Sequence, residues 1–359
     1  MHVLGRDDER GRGRSGEDGT GSERPTARLG RYRARDGSAG AVVGVDLDRP
    51  HAALVVGKRG YGKSYTLGVL AEECAKASGV TPVVVDPIGA LCGLGSWGRV
   101  VREPTVRADA VPPRAWPELV GLDPDSTAGA LVWQAAAAAG TLAGMCDHVA
   151  DVDGDEGISR TAANHLRLAA SWGAFAPDGL DARELVASDL TVLDCAGQSP
   201  GARSAVVHAV ARGLYEARLS ESDAVDTLPW LFVDEAHVAF DGVAAAALTT
   251  LLTRGRAPGV SLVCATQRPG ALPPVVASQT DLLVAHRLTA EADVAALAAC
   301  EATYVAGRLR DRLPTACGEA LVVDDHTESV HVVRVRERET PHEGASPRAS
   351  AVRERATTD

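Results

Sequence analysis

Residues 51–70 read HAALVVGKRGYGKSYTLGVL, an apolar run that breaks into a glycine-rich turn and then resumes with helical periodicity. Gly57, Gly62, Lys63 and Ser64 satisfy the spacing G-x-x-x-x-G-K-[ST], with Ala52 to Val56 as the preceding buried strand and Tyr65 onward as the following helix. Each position has a physical task. Glycines at 57, 60 and 62 let successive backbone N–H groups turn inward around phosphate oxygens, and the helix N-terminus adds its positive dipole end. Lys63 is placed to reach β- and γ-phosphates, and the Ser64 hydroxyl to hold the Mg²⁺ that bridges them. The nucleotide-contacting set is then Gly57, Lys58, Arg59, Gly60, Tyr61, Gly62, Lys63, Ser64 and Tyr65. A chance glycine turn is the competing reading, and the strand–turn–helix context argues against it.

Beyond the loop helix, Thr81 to Asp86 (TPVVVD) is a continuously apolar, β-branched strand of the kind buried in a parallel sheet, which completes a β-α-β unit. Asp86-Pro87-Ile88-Gly89 follows at its carboxyl end, where open α/β sheets place functional groups. Pro229 to Val233 is a second apolar strand, ending in Asp234-Glu235-Ala236-His237. Beside a phosphate loop, Asp234 is predicted to share the Mg²⁺ shell with Ser64, and Glu235 to polarise the attacking water as general base. Val260 to Thr266 predicts a further buried strand, and Gln267 at its end is placed to feel the γ-phosphate. Leu190 to Asp194 and Asp281 to Val284 read as additional strands. Glu319 to Val323 and Val330 to Val335 read as a closing antiparallel pair, and helices are expected over 204–219, 244–254 and 290–306. Residues 101–190 break this alternation with alanine-rich helical segments and predict a mainly helical insertion. Within it Asp151 to Glu156 (DVDGDE) resembles a calcium loop only superficially, since position twelve of that loop falls on Ala162; a solvated interhelical loop fits better.

The composition narrows the function classes. Residues 1–40 carry nine arginines and seven acids with few apolar side chains, which predicts a disordered charged arm. Residues 41–335 then form the folded domain, with Ala41 to Leu47 as an edge strand, and 336–359 a charged, fraying tail. A formal charge of −11 excludes nonspecific coating of nucleic acid, so contact with DNA has to be confined to a local basic channel. Lysine occurs at only 58, 63 and 76, so two of the three lie in the glycine-rich loop, where a compact ammonium suits phosphate. Acidic surplus with scarce lysine also resembles proteins of salt-loving archaea, although a GC-rich genome gives the same scarcity. Seven scattered cysteines without a C-x-x-C pair predict reduced thiols rather than zinc or disulfides. No apolar run is long enough for a membrane span, and no signal peptide is visible at the start, so a cytoplasmic location is the expectation.

In order, the marks VVGKRGYGKS (55–64), VVVDPIGAL (83–91), LFVDEAH (231–237), TRGRAPGVSLVCATQRPGALP (253–273), AHRLTAEAD (285–293) and VRVRERETPHEGASP (333–347) resemble the FtsK–HerA superfamily of P-loop ATPases, in particular its HerA-like branch. The resemblance implies an α/β, RecA-like P-loop NTPase with a mostly parallel central sheet flanked by helices. It further implies ATP and Mg²⁺ as cofactors, double-stranded DNA as track, and a homo-oligomeric, usually hexameric, ring. An arginine supplied by a neighbouring subunit is expected, with Arg254 and Arg256 ranked ahead of Arg287 because they lie in the stretch most specific to the family. Two departures stand out. HerA proteins usually carry an amino-terminal β-barrel, absent here ahead of the loop, which leaves a nuclease partner open, and the acidic residue usual after D-P-x-G is Ala90. DEAH alone also occurs in helicases with two motor domains, but one P-loop argues against that. A slow regulatory or assembly switch without DNA grip shares Lys63, Ser64, Asp234 and Glu235 and stays open, while a small-molecule kinase lacks an acceptor site.

Overall fold

A computed structural model of the chain describes residues 1–6, 24–34, 36–220, 225–298 and 309–342. Among these, the strands are β1 (His2–Leu4), β2 (Thr26–Arg33), β3 (Ala39–Asp46), β4 (Ala52–Val56), β5 (Val80–Asp86) and β6 (Arg99–Arg102), then β7 (Thr191–Asp194), β8 (Leu228–Val233), β9 (Ser261–Thr266), β10 (Leu282–Ala285), β11 (Glu319–Asp324) and β12 (Ser329–Val335). They form one sheet in the order β1-β3-β2-β12-β11-β10-β4-β9-β8-β5-β7-β6. From β10 to β6 every neighbouring pair is parallel. On the other flank, β10 through β11, β12 and β2 to β3 pair antiparallel.

The parallel strands read as unbroken apolar runs because both faces are covered. Alternate residues serve opposite faces. Leu54, Val56, Val83, Val85, Leu231 and Val233 pack with Val206, Val210, Leu248 and Leu251 of helices Pro200–Leu219 and Ala244–Arg254. Ala53, Val55, Val84, Trp230 and Phe232 pack with Leu67, Val69 and Leu70 of α1 (Lys63–Lys76). Between β6 and β7 lie helices Thr127–Ala138, Leu142–Asp151 and Glu156–Ala170 around a separate cluster with Trp116, Met145 and Leu166 buried. The acidic run of this region includes Asp155, whose side chain accepts the N–H groups of Gly157 and Ile158 and so caps the following helix.

Two expectations for the chain ends are corrected. Residues 1–40 are not simply an arm: His2–Leu4 and Thr26–Arg33 are strands, with residues 7–23 outside the described part. β2 is ordered because its ladder partners β3 and β12 satisfy its backbone, while Ala27 and Leu29 enter the core. Gly30 lets β2 approach β12, since a Cβ there would stand 2.0 Å from the Arg334 carbonyl oxygen. β3 is therefore an interior strand between β1 and β2 rather than an edge. At the other end, residues 336–342 do not fray but cross α1, with the Arg338 and Thr340 side chains buried; 343–359 lie outside the described residues. Buried Glu72 of α1 organises that crossing. It accepts the N–H groups of Glu339 and Thr340 and the Thr340 hydroxyl, and pairs with Arg336 at 2.8 Å.

Candidate active site

The parallel strands end in register, and this gathers the chemistry on one edge. Val56 pairs with Thr266, Val233 with Cys264, Val85 with Val233, and Val56 also with Ala285. The residues that follow β4, β8, β9 and β10 are consequently neighbours: Gly57, Asp234, Gln267 and His286. Gly57, Gly60 and Gly62 adopt φ values of +156°, +82° and +115°, conformations a side chain would strain, so the loop curls as the motif requires.

Lys63 opens α1 and is buried. Burial pushes its pKa down; the nearby carboxylates of Glu235 and Asp234 oppose that, and Arg59 adds to it. The Ser64 hydroxyl donates to Asp234 Oδ2 at 2.7 Å, which joins the loop to the acid of β8 across an intervening strand. Glu235 follows with φ +47°, a left-handed conformation uncommon for a non-glycine residue. Its pKa is raised, first by burial and then by the Asp234 charge, against the pull of Lys63 and a hydrogen bond from the Gln267 backbone. Its Oε2 is buried without a hydrogen-bond partner, 3.4 Å from His237 Nδ1. The same His237 nitrogen lies 3.0 Å from the Thr266 hydroxyl, so this histidine ties the end of β8 to the end of β9. Such a carboxylate, its pKa raised by burial and one of its oxygens without a hydrogen-bond partner, is chemically suited to accept a proton from water.

Asp86 has a different use. Fully buried, it accepts the N–H groups of Ile88, Gly89 and Leu91, and thereby builds its own turn. Burial raises its pKa, with these hydrogen bonds opposing.

The arginines separate clearly. Arg287, just past β10, lies with its guanidinium 5.4 Å from the Tyr61 ring centre and donates to the Tyr61 hydroxyl at 3.3 Å. Its carbonyl accepts the Lys58 N–H at 2.7 Å, so it belongs to the loop's surroundings. Arg254 and Arg256 are exposed and precede β9, at the amino edge of the sheet, opposite the loop of their own chain. Lys58 and Arg59 are exposed on the loop, and Gln267 is half-buried beside it. The Tyr65 hydroxyl accepts the Arg338 N–H at 2.6 Å, on the segment that crosses α1. His237, Thr66 and His286 were not singled out from the sequence as site residues. His237 carried a signal as the last letter of DEAH, whereas His286 falls inside the AHRLTAEAD mark without a role assigned to it.

Ser64 and Asp234 offer hard oxygen donors side by side, which fits Mg²⁺, a cation held through one or two protein oxygens together with substrate phosphates. Bound there, the ion would supply charge neutralisation to the phosphates.

No family model matches the chain, and no curated protein does. Solved structures match along most of its length. VirB4 of Thermoanaerobacter pseudethanolicus superposes with a TM-score of 0.69 at 18% identity, over 90% of this chain and 98% of that one. The bacterial conjugative coupling protein TrwBdeltaN70 gives 0.57 at 16% identity, over 83% and 88%. The chain has the RecA-like P-loop ATPase fold. The sheet with helices on both faces and the loop at its carboxyl edge agree with the FtsK–HerA resemblance carried by the motifs. A genome packaging NTPase, B204 from Sulfolobus turreted icosahedral virus 2, matches at a TM-score of 0.43 and 12% identity. No helix among the described residues is long and apolar enough to cross a membrane.

Proposed function

We propose that this chain is an ATP-hydrolysing motor of the FtsK–HerA type, working as a homo-oligomeric ring, in the family's usual form a hexamer, that translocates on double-stranded DNA. The single observation that carries the hydrolytic part is the Ser64–Asp234 contact at 2.7 Å, with Glu235 next in the chain and Lys63 buried between loop and acids. Lys63 would neutralise the β/γ-phosphates, Ser64 and Asp234 would hold Mg²⁺, and Gln267 would orient the attacking water toward Glu235. The DNA part is supported by the motif resemblance and by the shared fold with a conjugative coupling protein. Overall acidity argues that grip comes from enclosure inside a ring rather than from a basic face. A salt-tolerant setting accords with the same acidic, lysine-poor composition.

The test is ATPase rate with and without linear duplex DNA at several salt concentrations. Stimulation by DNA that persists at high salt supports an enclosing motor, since contacts made only by exposed phosphate pairs lose about a thousandfold or more in affinity over a modest salt increase. ATP turnover indifferent to DNA under all conditions would replace the motor with a nucleotide switch. Absence of both binding and turnover would remove the ATPase reading.

A further inference from the structure

His286 occupies the space directly beneath the phosphate loop. Its side chain is fully buried, and its backbone N–H continues the ladder onto Val56 at 2.8 Å. A Cβ at Gly57 would stand 2.6 Å from the His286 Cβ, and one at Gly62 would stand 3.2 Å from its Cε1. The loop therefore rests on His286 at both of its ends, on the Cβ and backbone below Gly57 and on the ring below Gly62, and these two glycines are required as much by this floor as by φ.

Both ring nitrogens are used. Nδ1 lies 2.9 Å from the carbonyl oxygen of Glu319 on β11, and Nε2 lies 2.9 Å from the Thr66 hydroxyl on the first turn of α1. A carbonyl can only accept, so Nδ1 carries the proton; Nε2 then presents its lone pair, and Thr66 must donate to it. The ring is a neutral bridge with a defined direction, from the Glu319 carbonyl through the imidazole to the hydroxyl two residues beyond Ser64. The same edge of β11 reaches the loop a second time, through the Gly318 N–H and the Tyr61 carbonyl at 3.5 Å. An apolar residue at 286 would fill the space but leave a buried carbonyl and a buried hydroxyl without these partners.

We propose that His286 is a positioning residue for the nucleotide: acting through Thr66, it fixes the start of α1 beneath the Gly57–Gly62 loop so that the loop's N–H groups converge on phosphate. This deepens the ATPase reading and rests on it. The phosphate site is thereby tied to the β11 edge. The bond to Thr66, not merely the filling of space, is the part that sets nucleotide affinity.

Two isosteres separate these roles, because an asparagine amide reaches the place of Nδ1 and a glutamine amide the place of Nε2. Affinity for a fluorescent ATP analogue with Mg²⁺ is measured on the whole chain, alongside melting temperature without nucleotide, for wild type, His286→Asn, His286→Gln, Thr66→Val and Thr66→Ser. His286→Asn and Thr66→Val should each weaken binding by about tenfold, the upper range for one hydrogen bond. His286→Gln and Thr66→Ser, which keep the contact, should stay within about threefold of wild type. The double variant His286→Asn/Thr66→Val should bind no worse than either single one, because one contact has been removed twice. If His286→Asn binds like wild type, or if the two losses multiply in the double variant, the positioning role is overturned. Lower melting temperatures with unchanged affinity in all variants would also overturn it, leaving a structural histidine. Wild type that binds no analogue, equal to Lys63→Ala, would instead refute the underlying ATPase reading.

Discussion

Replacing Glu72 with alanine should detach the crossing segment from the phosphate-loop helix, and the structure sets the size of the effect. Glu72 is fully buried and receives the Thr340 N–H at 2.9 Å, the Thr340 hydroxyl at 2.7 Å, the Glu339 N–H at 3.0 Å and the Arg336 guanidinium at 2.8 Å. Arg338 approaches at 3.6 Å with its side chain only 1% exposed. If the segment stayed in place, a buried guanidinium would lose its counter-charge, at a cost of about 3–5 kcal/mol. Release of residues 336–342 into water lets these groups rehydrate, which lowers the global cost to about 1–3 kcal/mol. The chain takes the cheaper route, so the expected result is a moderate loss in urea midpoint together with tryptic cleavage after Arg336 and Arg338. Glu72→Gln keeps an acceptor but not the charge, and should fall between the two. The pKa of Glu72 is lowered, the hydrogen bonds from Thr340, Glu339 and Arg336 outweighing a burial that by itself would raise it. A depressed carboxylate contributes stability above its ordinary value and loses it as pH falls through the lowered one. The difference between wild type and Glu72→Ala should therefore shrink in acid below the ordinary value of 4.5. An unchanged midpoint and unchanged cleavage at neutral pH would refute this account of the segment.

Glu235→Gln should retain Mg²⁺ and ATP through Asp234 and Lys63 yet lose turnover by about 10²–10⁴, measured by single-turnover hydrolysis; a wild-type rate would place the base elsewhere. Mixing Lys63→Ala with an arginine variant tests a shared site, since an arginine acting in trans is worth about 10³–10⁵ in rate. The position of Arg287 on Tyr61 predicts its loss in the chain's own site, without recovery on mixing, whereas Arg254→Ala or Arg256→Ala should recover if either reaches a neighbour. Recovery with Arg287→Ala would reverse that assignment. Burial lowers the His286 pKa to about 4 from an ordinary 6.5, with the Glu319 hydrogen bond opposing, so the fold prefers the neutral ring. That preference is fully present above pH 6.5 and is lost as pH falls toward 4, roughly 3 kcal/mol across the window. The stability of wild type minus that of His286→Gln, from denaturant titrations, should fall over that range; a constant difference would contradict the buried neutral imidazole.

The sequence by itself located the loop, α1, the Asp234–Glu235 strand, β9 with Gln267, and the closing β11–β12 pair, because each is written locally. A glycine spacing, a run of β-branched residues or two acids at a strand end is decided within ten residues, and a strand covered on both faces has to be apolar throughout. Nothing comparable marks β2. Thr26–Arg33 holds three arginines and one leucine, so its order depends on partners remote in sequence, β3 and β12.

The same distinction divides the site. Lys63, Ser64, Asp234 and Glu235 could be named because the roles proposed for them follow from residue type at a fixed place in a motif. The ranking of the arginines rested on the family resemblance alone, since which edge of the sheet Arg254 and Arg287 occupy depends on the direction of β9 and β10 within the sheet. The role of His286 was not legible either: although it falls inside the AHRLTAEAD mark, it gains a function only when β10 lies beside β4 and β11 beside β10, which brings Glu319, Thr66 and the loop glycines around one side chain. Glu72 acquires its role only because the segment after β12 folds back over it. Local propensity and motif chemistry act through neighbours in the chain. Buried polar groups such as these are settled by partners more than thirty residues away, because the low dielectric around them makes an unpaired group costly and so lets tertiary packing choose the pair.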